Sequence, residues 1–497
     1  MMKKLTLLLI SFFVFTGCEY EFPDPVALSE PTADADLSNI VFIGGSRFAG
    51  LENGALSIRS NQYAVPNMFL KELGLVETDQ IVTPFVNSEN GFNIYENTDL
   101  TGTTGAYRVF FPSADTVFFK RELTAGTALA FENAGSTSLN SFSFPDAAIL
   151  DITETGRTVN PYAGAFFDNS VSILERATAA NPSFFVLDLG YQDILNFVTN
   201  GATGDMEAAV TTAGVSDLPS EAFFRTKLEE ATTALLNQNA TTKGVLVNIP
   251  DFTLFPYFVR LSYDITPFVI ANRSLISNAQ GEAASFNNSL IAYYQQNPGT
   301  PSADRRPFID YGNDSRFNWG MAVEDQTLAD VTFNGNVIPK VRQLKIDDYM
   351  FYKNERLLRT GLGMRVSNPI PNDGFISFEK GEEIKAKIAA YNAIIQDVAD
   401  NSGGRLVVAD TYSVFNQMTN GYSKLLGNEA DGLNVDGVVL RPSISRFGVF
   451  SADGLNLNPV GNSLIVNAII SAINNNLNGN LRQVNPNNLP GTTFTNN

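Results

Sequence analysis

Four short apolar runs punctuate the chain: residues 40–45 (IVFIGG), 183–190 (SFFVLDLG), 244–251 (GVLVNIPD) and 405–413 (RLVVADTYS). Apolar residues run together in them rather than alternating with polar ones, as in strands buried on both faces of a parallel sheet. Helical periodicity fills the intervals. It appears at residues 63–73, in SVSILERATAANP before the second run, in EAFFRTKLEEATTALLNQ before the third and in GEEIKAKIAAYNAIIQDVADN before the fourth. A last helical pattern, GNSLIVNAIISAINN, lies near the end. Strands alternating with helices predict βαβ units and an α/β fold, a three-layer α/β/α sandwich around a parallel central sheet.

Two long polar and aromatic stretches, 76–131 and 253–375, interrupt this alternation without any internal repeat. They read as insertions that cap the edge of the sheet where α/β proteins keep their ligand sites. The folded unit then spans 38–475, and the polar tail 476–497 is expected to lie along the surface.

Composition narrows the chemistry. The 497 residues are 44% hydrophobic, enough for a large core, and the net charge of −19 argues against nucleic acid as a partner. The chain holds one Cys and no His. No intrachain disulfide can form, a Ser-His-Asp relay is excluded, and zinc or copper sites lose their usual ligands. No cofactor and no metal is expected. Asn434 and Asp436 in DGLNVDG resemble part of a Ca²⁺ loop, but their spacing fits no EF-hand.

The start, MMKKLTLLLISFFVFTGC, has a basic pair, an apolar run too short to span a bilayer, and small residues before Cys18. It resembles a bacterial lipoprotein signal. That resemblance implies a signal peptide over 1–17, a lipidated Cys18 and, over 18–37, an extended acidic tether rich in Pro. The expected location is the outer membrane, lipid-anchored through Cys18 and facing the cell exterior, with the periplasmic face as the alternative.

VFIGGSRFAG, DLGYQD, NIPDFTLFPYF and FSADGLNLNPVG occur in this order, the first three at strand ends and the last before the final helix. Together they resemble the blocks of the SGNH/GDSL hydrolase family, in its large lipoprotein branch, over about residues 38–475. The resemblance implies the SGNH/flavodoxin-like form of the sandwich. It places Ser46 at the nucleophile position, Asp453 at the acid position, and Ser138 and Gln192 at the oxyanion positions. Asn456 stands where the family has its His. A Ser hydroxyl needs a base to take its proton, and the oxyanion needs fixed donors. Here Gln192 carries the family's Asn amide one methylene further out, Ser138 replaces a Gly, and Asn456 can hold a hydrogen bond to Ser46 but cannot accept a proton near neutral pH. Gly45 and Arg47 replace the family's Asp and Leu on either side of Ser46. Asp193 is expected to cap the helix that follows it.

The expectation is therefore a surface lipoprotein with a degenerate hydrolase-like domain. It would bind a lipid or glycan without hydrolysis, or serve as the accessory subunit of an outer-membrane β-barrel. The alternative is a serine esterase in which Ser46 is activated by Asp453, or by a Lys or Glu from an insertion.

Overall fold

The computed structural model describes residues 32–496 apart from 78, 112–119, 137–138, 156–159, 169, 215, 265–272, 313–318, 359 and 424–427. Cys18, the tether before residue 32 and Ser138 lie outside the described residues.

Five parallel strands form the central sheet: β1 (Ile40–Gly44), β2 (Ser141–Ser143), β3 (Phe184–Asp188), β4 (Lys243–Val247) and β5 (Leu406–Ala409). Their spatial order is β2-β1-β3-β4-β5. The runs IVFIG and FFVLD are buried at every position, which explains why neither shows alternation. The register sets Gly44 beside Asp188 on one side and beside Ser143 on the other. β2 was not expected from the sequence. Its three residues, Ser-Phe-Ser, carry no apolar run.

Five helices follow the periodic stretches, α1 (Val65–Glu72), α2 (Ile173–Ala179), α4 (Glu221–Leu236), α5 (Phe378–Asp400) and α6 (Pro459–Asn476), while α3 (Tyr191–Thr199), after β3, falls in none of them. Ser220 starts α4 by accepting the Phe223 N–H, and Phe224, Leu228, Ala231 and Leu235 fall on its buried face. Ser377 starts α5 in the same way, and Tyr391 of that helix stacks on Phe224 at 4.0 Å between ring centres. α4 and α5 pack together, and α5 covers β4 and β5. α6 begins with Asn458 accepting the Gly461 N–H and Pro459 in its first turn, then packs on β4, β5 and α1. Each fully buried Phe or Leu in these contacts contributes about 1.5–3 kcal/mol.

The first insertion supplies the strand pair Thr104–Phe111 and Lys120–Ala125 and the short hairpin strands Leu51–Glu52, Ala55–Leu56 and Phe92–Asn93 lean against it. The tail does more than lie on the surface: Phe494–Asn496 adds a parallel strand to Thr104–Phe111. The second insertion carries the helix Arg273–Gln296 and an apolar cluster of its own around Phe286, Leu290, Trp319 and Met321. DGLNVDG forms a hairpin between Leu433–Val435 and Val438–Leu440, with Asp436 and Gly437 at positive φ and Asn434 accepting the Gly437 N–H. No described helix is long and apolar enough to cross a membrane.

Candidate functional site

β1 runs out at Gly44, and the chain turns at Gly45 into the short helix Ser46–Ala49. The strand order reverses between β1 and β3, so the ends of these two strands frame a crevice. After β3, Gly190 takes φ +89 and its missing Cβ leaves room for the Phe224 ring. α3 starts there, and its first turn carries Gln192 to the end of β1.

Ser46 is 1% exposed. Its backbone N–H donates to Oε1 of Gln192 at 2.9 Å. An N–H facing the amide fixes which of its atoms is oxygen. Nε2 of Gln192 donates to Oδ1 of Asn196 at 2.7 Å, one helical turn on, and reaches Oδ1 of Asp146 at 3.4 Å. Gln192 thus turns its carbonyl oxygen, not its NH2 group, toward the Ser46 N–H. Gly45 permits this approach, because a Cβ there would lie 2.7 Å from both Cβ and Oε1 of Gln192.

The Ser46 hydroxyl faces Asp146. Its Oγ accepts the Asp146 N–H at 3.0 Å and its hydrogen bond lowers the Asp146 carboxyl pKa. That carboxyl is nevertheless pushed up to about 6, mainly by burial and then by Asp151 beside it. Asp146 is part-buried along a cavity wall and holds φ 56, a conformation uncommon outside Gly. The sequence did not single it out.

Asn456 does not bond Ser46, contrary to expectation. Its Nδ2 donates to the Tyr95 hydroxyl at 2.9 Å and to Oδ2 of Asp453 at 3.2 Å. Asp453 is buried and accepts throughout: the Leu455 and Asn456 N–H groups at 2.7 Å each on Oδ1, and the Gly54 N–H at 2.5 Å and Ser451 hydroxyl at 2.9 Å on Oδ2. Five hydrogen bonds, counting that from Asn456, fill a carboxylate's lone pairs. Asp453 therefore pins its loop to the hairpin at Gly54, which leaves it badly placed to activate Ser46. Asp193 accepts the Ile149 N–H at 3.1 Å, capping the neighbouring helix Ile149–Thr153 instead of its own.

Arg47 turns beneath the crevice. Its Nε and Nη2 bond the two oxygens of Asp188 at 2.8 and 2.5 Å, and its guanidinium lies 4.2 Å over the Tyr191 ring. Both side chains are buried. Arg47 and Asp188 form a core ion pair that ties the end of β1 to the end of β3.

Beside these groups opens a cavity of about 390 Å³. Asp146, Asn196 and Asp453 reach it from the sheet edge. Tyr95, Glu96, Tyr107 and Arg121 come from the first insertion, Tyr257 and Lys353 from the second. Tyr162 and Tyr257 are each 8% exposed, and burial raises both phenols above their ordinary range, so they remain neutral donors. Ser46 is not on the wall. Among the described residues, no group of three or more His, Cys, Asp or Glu is placed to hold a metal.

No family model matches the chain, and neither the curated proteins nor the solved structures include a match.

Proposed function

We propose that this chain is a degenerate SGNH-like domain that binds a small ligand without hydrolysing it, held at the outer membrane through Cys18. One observation carries the reading: Oε1 of Gln192 accepts the Ser46 N–H, so the donor that an acyl-transfer intermediate requires is already engaged. Asn456, turned to Tyr95 and Asp453, brings no base. The all-parallel order β2-β1-β3-β4-β5 supports the three-layer, flavodoxin-like sandwich. The cavity next to the altered site supplies the place for a ligand, its volume falling among those of small-molecule pockets, about 300–1,000 Å³. An outer-membrane β-barrel as partner remains part of the proposal, tested by purification of the tagged, lipidated protein in mild detergent. Recovery without a stoichiometric barrel counts against that partner.

Hydrolysis of short and medium acyl p-nitrophenyl esters tests the reading. Wild type and Ser46→Ala should be alike at background. Turnover that the alanine variant loses would sink it.

A second reading has one observation in its favour. The Asp146 backbone N–H bonds the Ser46 hydroxyl oxygen at 3.0 Å, which holds the two residues together, and the Asp146 carboxyl, pushed up to about 6, is suited to act as a base near neutral pH. On that reading the chain is an esterase in which Asp146 replaces the family's His. Ester turnover lost in both Ser46→Ala and Asp146→Asn would favour it.

A further inference from the structure

We infer that the cavity takes a saccharide unit bearing a carboxylate, anchored by the guanidinium of Arg121. The inference rests on the binding reading above and assigns that site its ligand class.

Arg121 lies on the insertion strand Lys120–Ala125, is 6% exposed, and lines the cavity. Its guanidinium carbon sits 4.2 Å from the Tyr107 ring centre and 4.1 Å from that of Tyr352. The two rings clamp the planar cation, so hydrogen bonding is left to its edge. That edge is poorly used. Nη2 donates to the Tyr352 carbonyl at 3.3 Å, Nε has no hydrogen-bond partner, and Oε2 of Glu355 stands 3.9 Å from Nε, beyond hydrogen-bond length. A buried guanidinium has five N–H groups to satisfy, and an Nε without a partner is unusual in such a position. A carboxylate matches the fork in a bidentate pair. Lys353, next in the chain to Tyr352, lines the same cavity, with its ammonium held by Asp373 at 3.0 Å.

The remaining wall selects the body of the ligand. Tyr162 and Tyr257 are largely buried on the wall, and their hydroxyls bond no described residue. Their rings offer flat apolar faces to the C–H face of a pyranose, while the hydroxyls exchange hydrogen bonds with its own. Asp146 and Asp151 accept from sugar hydroxyls and, with Glu96 and Asp453 on the same wall, repel a carboxylate everywhere but at Arg121. An acyl chain finds little support, because the aliphatic residues among those lining the cavity are Pro161 and Leu455.

The test is a binding screen of the full chain against glycans ending in glucuronate, galacturonate or N-acetylneuraminate and their neutral counterparts, with affinities by calorimetry. An acidic glycan should bind about tenfold or more tighter than its neutral counterpart. Arg121→Gln should erase that preference while keeping the weaker neutral binding. Because Arg121 also ties its strand to Tyr352, wild-type protein provides a second reading: high salt should weaken the acidic ligand more than the neutral one. Equal binding of both, a preference untouched by Arg121→Gln and by salt, or silence toward every glycan overturns the inference. Binding of octanoate in place of glycans overturns the ligand class alone and leaves the non-hydrolytic reading standing. Ester turnover dependent on Ser46 overturns that reading alone.

Discussion

The backbone N–H of Ser46 and the side-chain oxygen of Gln192 are hydrogen-bonded at 2.9 Å, and the proposed non-hydrolytic role rests on this contact. A hydrolase needs that N–H free until charge develops on the substrate oxygen. Here the protein has supplied the acceptor itself, in the ground state.

Gly45 and Gln192 should behave as a coupled pair. Gly45→Ala places a Cβ 2.7 Å from Gln192 atoms and should destabilise the fold by about 1–3 kcal/mol. Gln192→Ala leaves the Ser46 N–H buried without an acceptor, also at about 1–3 kcal/mol. Denaturant titration of the double variant should give less than the sum of the two, because Gln192→Ala removes the clashes with Oε1 and Cγ, although the Cβ at 192 stays 2.7 Å from the new Cβ at 45.

Arg47 and Asp188 should matter for folding more than for binding. Arg47→Met strands a buried carboxylate and should cost about 3–5 kcal/mol. Arg47→Met/Asp188→Leu should recover most of that in the same unfolding measurement, since the pair is replaced by apolar volume.

Asp146 gives a pH signature. Its folded pKa, about 6, lies above the ordinary carboxylate value, so between about pH 4 and 6 the folded state holds a proton that the unfolded chain has released. Its contribution therefore lowers stability as pH rises through that window. Asp151, the Ser46 hydroxyl, the Gln192 and Asn196 amides and the phenols of Tyr95 and Tyr162 surround it; Asp151 pushes its pKa up and Ser46 pulls it down. Comparing wild type with Asp146→Asn by thermal unfolding across pH should show this fall in wild type and its loss in the variant.

Installing the residues of the hydrolases that the chain resembles should require both changes. Asn456→His alone restores a base but leaves the Ser46 N–H on Gln192, so ester turnover should stay at background. Adding Gln192→Asn withdraws the blocking oxygen. General bases contribute about 10²–10⁴ and oxyanion donors about 10²–10³ in rate, so any gain should appear only in the double variant. Turnover restored by Asn456→His alone would show that Gln192 does not block the donor.

What the sequence made legible was the frame. The runs at residues 40–45 and 183–190 announced β1 and β3 because strands buried on both faces must be apolar throughout, and α4 and α5 showed in their 3.6-residue periodicity. β2 escaped because two of its three residues are serines. At the site, Gln192 and Asn456 were visible as candidates, but their contacts were not. Which end of the Gln192 amide faces Ser46 depends on Asn196 and Asp146, and where Asn456 points depends on Tyr95, a residue 361 positions away. Asp146 and Arg121 belong to no motif, and only the folded chain brings them to one cavity.

The most direct test of the central claim is covalent labelling of the full chain with a fluorophosphonate, read by intact mass and peptide mapping. Adduct formation on a serine requires both an activated hydroxyl and a free oxyanion donor. With the Ser46 N–H held by Gln192, the account predicts no adduct at Ser46 under conditions that fully label an active serine esterase. Stoichiometric modification of Ser46 in the wild type, absent in Ser46→Ala, would contradict it.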